Sequence, residues 1–299
     1  MAQRGGTGWG RRIAILVPYL WLLVFFLLPF FIVLKISVSA PVIAQPPYTP
    51  VWDSLGAVWG HLTNLDLGNY AFLFSDPLYV NSYLNSLRIA AVSTLIALLI
   101  AYPMAYGMAR CTPTWRAILL TAVILPFWTS FLIRVYAWIG ILKQEGLLNL
   151  VLEWLGVISE PLTIHLTPVA VYVGIVYSYL PFMILPLYAS LEKLDTSLLE
   201  AAADLGAKPW QVFLRVTLPL SLPGVAAGCF LVFIPAVGEF VIPELLGGAS
   251  TQMIGRTLWT EFFNNRDWPV ASAVAVLLVL VLVVPIVIFQ RVARREGTG

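Results

Sequence analysis

The sequence predicts an all-α, polytopic membrane protein with six transmembrane helices. Of its 299 residues, 60% are hydrophobic and only 11% are charged, and its mean hydropathy is +0.89. Soluble domains carry roughly 25% charged residues, so this composition excludes an ordinary soluble fold. Six apolar stretches are long enough to cross a bilayer, which takes about 20 helical residues at a rise of 1.5 Å each.

These stretches define a predicted transmembrane domain at 13–289. The predicted spans are about 13–35, 84–108, 118–142, 168–190, 224–246 and 269–289. Prolines such as Pro126 and Pro235 fall inside them, and neighbouring helices in a bundle can satisfy the carbonyl groups that such prolines release. The first stretch is interpreted as a retained span, because its apolar run of about 22 residues exceeds the 7–15 of a signal-peptide core.

The distribution of charge predicts that both ends of the chain are cytoplasmic. With the amino terminus inside, most lysines and arginines fall in the inner segments, as the positive-inside rule requires. Residues 1–12 then form a cytoplasmic segment and 290–299 a cytoplasmic tail. Most acidic residues fall on the outer side. This second bias fits either a cationic substrate that arrives from outside or an ordinary polar outer surface.

Several kinds of site are not expected in this chain. Cys111 falls in an inner loop and Cys229 in a span, so a disulfide framework is not predicted. No Walker A motif and no H-E-x-x-H motif is present, and His61 and His165 lack the neighbours of a metal site. We therefore expect no catalytic residues, no bound cofactor and no metal. Energy for uphill transport would have to come from a partner.

The inner loop at 191–223, between spans four and five, has the signals of a compact helical element. Ser197 and Glu200 have the spacing of a capping box, which predicts a helix over 198–205. Gly206 follows where a helix ends in a left-handed residue.

A second short helix is predicted over 209–215. Pro209 suits its first turn, and Pro219 and Pro223 are expected to keep it from continuing into span five. The small side chains at 201–203 would let another surface approach closely. The loop is thus either a docking element for a partner or a simple interfacial loop.

This loop resembles the EAA loop of ABC importer permeases. That pattern is E-A-A, three residues, Gly, nine residues, Ile, one residue and Leu-Pro. The matching positions are Glu200, Ala201, Ala202, Gly206, Leu218 and Pro219. Val216 stands where isoleucine is usual and keeps a β-branched apolar side chain. The resemblance implies a MetI-like permease fold, in which these residues form coupling helices that sit in a cleft of an ATPase.

Other segments resemble permeases of polyamine importers. These segments are "LPFWTSFLIRVYAWIGIL", "EFFNNRDWPVASAVA" and "FIPAVGEFVIPELLGG", the last being most similar to putrescine permeases of the PotH type. The resemblance implies a bacterial inner-membrane complex that works by alternating access. It would contain a homologous second permease, two ATPase subunits that use ATP and Mg, and a periplasmic binding protein. The substrate would be putrescine or a related polyamine.

Two charged residues are predicted at similar depth in the membrane. Arg134 and Glu239 lie about 15–16 residues from the cytoplasmic starts of spans three and five, or about 22–24 Å along each helix. Charged side chains at such depth are costly and usually face a bundle interior or a water-filled cavity. Two hypotheses stay open: both residues line a translocation path, or they form a buried ion pair that fixes packing.

The outer part of span five has further features of a path for cations. Pro235, Gly238 and Pro243 can bend or interrupt the helix there. A polyamine presents ammonium groups along an alkyl chain, which carboxylates and aromatic faces can bind. The candidate pathway residues are Glu239, Glu244, Arg134, Phe240, Trp128 and Tyr136. Each aromatic residue is equally explained by packing or by anchoring at the membrane interface.

Two alternative functions are weighed against polyamine import. The first is an ABC importer permease for another solute, such as sulfate, iron or phosphonate; the outer acidic residues disfavour an anion. The second is an ATP-independent channel or a membrane enzyme; neither has a use for an EAA loop.

Overall fold

The computed structural model describes residues 8–51 and 65–296 of the chain. The predicted cytoplasmic ends at 1–12 and 290–299 are therefore covered only in part, and His61 lies outside the described residues. The described chain is largely helical. It divides into two compact units, one formed by the middle of the chain and one by its two ends.

The middle unit, residues 78–257, contains the helices that carry predicted spans two to five. Its helices are α4 (Pro77–Arg110), α5 (Pro113–Ile124), α6 (Phe131–Leu142), α7 (Leu147–Trp154), α8 (Pro168–Glu192), α9 (Thr196–Asp204), α10 (Pro209–Val212), α11 (Leu218–Val237), α12 (Val241–Leu246) and the start of α13 (Ile254–Trp259). A 3₁₀ turn at Leu125–Trp128 follows α5, and a π-turn at Phe213–Thr217 joins α10 to α11.

The core of this unit is built where α8 and α11 cross at close range. Gly224 and Gly228 of α11 lie four residues apart, the spacing of a small-xxx-small helix contact. A Cβ added at Gly224 would lie 2.5 Å from the Ser190 Cβ, and one added at Gly228 would lie 2.7 Å from the Met183 Sδ. The two helices therefore approach as closely as they do because these positions have no side chain. The buried residues around the crossing include Ala97, Ala101, Ala105, Ile184, Leu187 and Val232.

The predicted third span is not one straight helix. The helical segments Pro113–Trp128 and Phe131–Trp154 meet at an angle of 93°. Pro126 cannot donate a backbone hydrogen bond, and its carbonyl accepts one from the Thr129 N–H (3.3 Å) and one from the Thr129 hydroxyl (2.8 Å). Thr129 is extended and ends the helix. The region predicted as a span at 118–142 is therefore broken: α5 ends at Ile124, and Pro126 lies in the 3₁₀ turn that follows.

The region of the predicted fifth span differs from the prediction at its inner end. The helical segment begins at Pro209 and continues without a break to Val237, so Pro219 and Pro223 do not separate the loop helix from the span. The π-turn at Phe213–Thr217 ends two residues before Pro219, and the Leu218 N–H bonds to the Phe213 carbonyl, so the helix continues through this region. At the outer end, residues 238–240 interrupt the helix before α12, as the glycine and proline pattern predicted.

The second unit joins residues up to Pro77 with residues from Leu258 onward. Its elements are α1 (Gly8–Leu22), a π-turn at Leu23–Leu27, α2 (Leu28–Ser37), the antiparallel strands β1 (Ala40–Pro41) and β2 (Tyr48–Thr49), α3 (Gly68–Ser75), a π-turn at Thr260–Asn264 and α14 (Trp268–Glu296). α14 packs along α2. At the end of α2 the Lys35 ammonium lies 4.1 Å from the Tyr48 ring centroid and donates to the Pro50 carbonyl, and the Asn69 amide donates to the Ser37 and Ser39 carbonyls.

In the described ranges, four helical segments are long and apolar enough to span a membrane. They are Arg12–Ser37, Pro77–Arg110, Pro168–Glu192 and Pro209–Val237. Counting the bent pair as one span gives five. The sixth predicted span falls in α14, and six spans with both ends cytoplasmic remain a prediction.

Candidate functional site

The interruption between α11 and α12 is organised by the buried side chain of Glu239, which is 8% exposed. Its Oε1 accepts hydrogen bonds from the backbone N–H groups of Phe240 (3.2 Å), Val241 (3.0 Å) and Ile242 (3.4 Å). A carboxylate at this position satisfies donors that have no partner within the helix and lies at the positive end of its dipole. Glu239 therefore caps α12.

The second oxygen of this carboxylate is bound by a different helix. The hydroxyl of Tyr179, in the middle of α8, donates to Oε2 of Glu239. The Tyr179 ring lies 6.2 Å from that of Phe182, one turn further along the same helix. Both oxygens of Glu239 are thus engaged, and its charge is stabilised by hydrogen bonds rather than by a cation.

Arg134 is not the partner of Glu239 in this structure. Its guanidinium lies 5.1 Å from the Phe127 ring centroid and 5.8 Å from that of Phe131, in cation–π geometry. Its Nε is buried and has no hydrogen-bond partner within the described chain. The hypothesis of a direct Arg134–Glu239 ion pair is therefore not supported. A role for either residue in a translocation path stays a prediction.

Glu244 is the second acidic residue of the interrupted helix, and it is partly accessible. Its Oε2 lies 2.5 Å from the Nε of Arg256, and the two side chains are 46% and 27% exposed. No sequence pattern predicted this ion pair, because the two residues come from different helices, α12 and α13. The pair places a cation against the accessible carboxylate.

The start of α13 is fixed within the middle unit by contacts to α4 and to the interruption. The Ile254 N–H donates to the Ser86 hydroxyl (2.7 Å), and the Thr257 hydroxyl donates to that of Ser82 (3.1 Å). A Cβ added at Gly255 would lie 2.4 Å from the Gly238 carbonyl oxygen. Only glycine at 255 allows α13 to lie directly on the interrupted backbone.

The far end of α12 is held by a segment to which the sequence assigned no role. The His165 Nε2 lies 3.2 Å from the Leu245 carbonyl oxygen, and the Leu166 N–H donates to the Leu246 carbonyl (2.9 Å). Leu166 adopts φ 63°, so its backbone is turned to make this bond. α12 is thereby held at both ends.

The predicted aromatic residues occupy different environments. Trp128, at the end of the 3₁₀ turn, and Tyr136, on α6, have exposed side chains, whereas Phe240 is half-buried in the interruption. Phe240 is next to Glu239 and its N–H is part of the cap. As substrate contacts, all three stay predictions.

The inner loop contains the two predicted helices with one change in capping. The N-cap of α9 is Asp195, whose carboxylate accepts from the Ser197 N–H (2.9 Å), so the predicted Ser197–Glu200 capping box was wrong. This hydrogen bond lowers the pKa of Asp195 below its ordinary value. Because the folded-state pKa is lowered, the stabilisation is present at neutral pH and is lost as the pH falls through that pKa.

The end of α9 confirms the left-handed conformation predicted for Gly206, with φ 82°. The Ala207 N–H donates to the Ala202 carbonyl (3.1 Å) and the Gly206 N–H to the Ala203 carbonyl (2.8 Å). This is a Schellman motif.

At the start of the loop, the Arg116 guanidinium pairs with the Glu192 carboxylate at 2.8 Å.

Comparison with protein families gives one match across nearly the whole chain. The family described as "Binding-protein-dependent transport system inner membrane component" matches residues 8–296. The chain belongs to this family. The matched residues include both compact units and the inner loop.

Two relatives within this transport family are similar over most of their length. The spermidine/putrescine transport system permease protein PotB of Haemophilus influenzae is 41% identical over 281 residues, covering 94% of this chain and 93% of that protein. The protein of the same name from Escherichia coli K12 is 46% identical over 228 residues, covering 76% and 82%. The resemblance to polyamine importer permeases, seen in short segments of the sequence, therefore extends over most of the chain.

A solved structure confirms the MetI-like fold class at low sequence identity. A chain of a bacterial ABC transporter involved in the import of the acidic polysaccharide alginate superposes with a TM-score of 0.70. It is 18% identical and the match covers 96% of each chain. This likeness concerns the fold alone.

In this transport component, several apolar side chains of the inner loop are exposed within the described part of the chain. Leu205 is 89% exposed, and Leu198, Trp210 and Leu214 are also exposed. Glu200 and Ala201 of the predicted motif are exposed beside them. An exposed apolar surface on a compact, capped element has the character of a docking site.

Replacing Gly206 by alanine should lower the free energy of local unfolding at the end of α9 by about 1 kcal/mol, because a Cβ is disfavoured at a left-handed φ. Hydrogen exchange of the Ala207 amide, which closes the Schellman motif, should become faster. Gly107→Ala is the matched control, since a Cβ at Gly107 meets nothing within 4 Å. Equal exchange in both variants would contradict the assigned role of Gly206.

Proposed function

We propose that this chain is a permease subunit of an ATP-driven ABC importer that takes up putrescine or a related polyamine across the bacterial inner membrane. The observation that carries the proposal is the 41% identity, over 94% of the chain, to a protein named for spermidine/putrescine transport. The periplasmic binding protein would deliver the substrate, and this chain with a homologous second permease would form the path.

The chemistry around the interrupted helix supports a cationic substrate. Glu244 is a partly exposed carboxylate next to a break in an apolar helix, where irregular backbone commonly borders a substrate path. Glu239 has both oxygens engaged, so it contributes by placing α12 and with it Glu244. Phe240, Trp128 and Tyr136 would supply aromatic faces for the ammonium groups.

The inner loop supports coupling to a separate ATPase. The exposed surface of α9 and α10 would dock into an ATPase dimer, which binds ATP and Mg, and residues Glu200 and Gly206 would form and shape the contact. α10 continues through the π-turn into α11 and so to the interruption at 238–240. A movement of the docked loop would in this way reach the substrate path.

Reconstitution of the full complex in lipid discs tests the proposal. We expect its ATPase activity to rise when the binding protein is loaded with putrescine or spermidine, and not with sulfate. Unloaded binding protein serves as the control for each substrate. Stimulation by sulfate alone would overturn the proposed substrate, and failure of the permease to copurify with any ATPase would overturn the importer assignment.

A further inference from the structure

The ion pair between Glu244 and Arg256 joins two residues whose backbones are anchored separately. Glu244 is on α12, which is held by the Glu239 cap at one end and by Leu166 at the other. Arg256 is on α13, whose start is bonded to Ser86. Each helix is thus positioned by hydrogen bonds other than this ion pair, and the fold brings the guanidinium to the carboxylate.

The same carboxylate is the acid through which the proposed function would bind a substrate ammonium. A partly exposed ion pair of this kind contributes little net stability, because water and salt screen it and its side chains lose freedom. A second cation can therefore replace the guanidinium at little cost. A neutral or anionic solute cannot, because it would leave Glu244 without a counter-charge.

We infer that Arg256 is a specificity-determining residue: its guanidinium occupies, in the substrate-free permease, the position beside Glu244 that an ammonium group of the substrate takes during transport. The inference rests on the proposed function. Arg256 discriminates between cationic and other solutes by competition, since only a cation can replace its charge beside Glu244. It also keeps an accessible carboxylate neutralised between transport cycles.

A double-mutant cycle tests this competition directly. Binding of radiolabelled spermidine is measured by equilibrium dialysis on the permease–ATPase complex in lipid discs, without binding protein. R256Q should bind about two- to fivefold more tightly than the wild type, the range of a weak exposed pair. R256K, which keeps the charge, should stay within about twofold of the wild type. E244Q should bind weakly, and R256Q should have no further effect in the E244Q background.

A measurement on the wild-type complex covers the case in which R256Q fails to assemble. Phenylglyoxal modifies accessible guanidinium groups, and mass spectrometry reports each arginine separately. Saturating spermidine should speed modification of Arg256, because the side chain leaves the carboxylate. Arg88, exposed on α4, is the matched control and should be modified at the same rate with and without spermidine.

The outcomes separate this inference from the proposed function. The competition would be overturned if R256Q bound spermidine more weakly than the wild type, or if R256Q gave the same gain in the E244Q background. It would also be overturned if the modification rate of Arg256 stayed constant or fell with spermidine. A wild-type complex that neither binds spermidine nor responds to polyamine-loaded binding protein would overturn the proposed function itself. Binding by the wild type without coupling between Arg256 and Glu244 would overturn only the inference.

Discussion

Glu239→Ala should reduce polyamine uptake by the reconstituted complex at least tenfold, whereas Glu239→Gln should retain most of it. Alanine leaves the N–H groups at the start of α12 and the Tyr179 hydroxyl without their acceptor, and each buried unsatisfied group costs about 1–3 kcal/mol. The glutamine carbonyl can accept from the same N–H groups, and its amide can donate to the Tyr179 oxygen. Uptake and hydrogen exchange of the Val241 amide would be measured together.

The comparison separates the capping role of Glu239 from a need for its negative charge in the substrate path. If the carboxylate acts as a cap, exchange at Val241 rises in the alanine variant and stays low in the glutamine variant. Equal loss of uptake by both variants, with exchange unchanged in Glu239→Gln, would contradict the cap and point to a need for the negative charge itself. Tyr179→Phe should fall between them. Tyr177→Phe is its control, because Tyr177 is on the same helix and exposed.

Gly224→Val should destabilise the packing of α8 against α11, and this is the second large effect expected. The added Cβ alone would lie 2.5 Å from the Ser190 Cβ and 2.9 Å from the Pro186 carbonyl oxygen, so the helices would have to move apart. Overpacking of a tight contact costs about 1–3 kcal/mol, and the interruption and both loop helices depend on α11 for their position. We expect a lower yield of folded protein and a thermal transition lowered by several degrees.

Ala227→Val is the matched control for this prediction. Ala227 is on the same helix, one residue before Gly228, and its side chain is exposed. The valine at 227 should therefore leave the thermal transition of the detergent-solubilised protein unchanged. If Gly224→Val unfolded at the same temperature as the wild type, α8 and α11 would not meet at this glycine.

Features set by local chemistry could be predicted from the sequence. Gly206 follows α9 in the left-handed conformation, which glycine adopts readily because it has no Cβ. The interruption after Val237 falls near Gly238, where glycine and proline residues cluster. The bend at Thr129 could not be predicted from Pro126 alone. A proline is tolerated within a helix or precedes its end according to the contacts that follow it, and here the extended Thr129 donates back to the Pro126 carbonyl and ends the helical turn.

Contacts between distant parts of the chain carried no signal in a single sequence. Tyr179 is 60 residues from Glu239, and nothing around either residue indicates that their side chains meet. The Glu244–Arg256 pair depends on α13 lying on the interruption, which in turn depends on Gly255. Arg134 and Glu239 were predicted at similar depth, but equal depth does not determine which face of a helix a side chain occupies.

In the proposed coupling to an ATPase, the unbroken helical run from Pro209 to Val237 would act as a rigid arm. Its 29 residues give an arm of about 43 Å between the inner loop and the interruption. A tilt of about 10° at the loop end would carry the other end through about 7 Å, which is more than the pitch of one helical turn. Had Pro219 ended the helix, as the sequence suggested, the loop would pivot freely at that point and the motion would stop there.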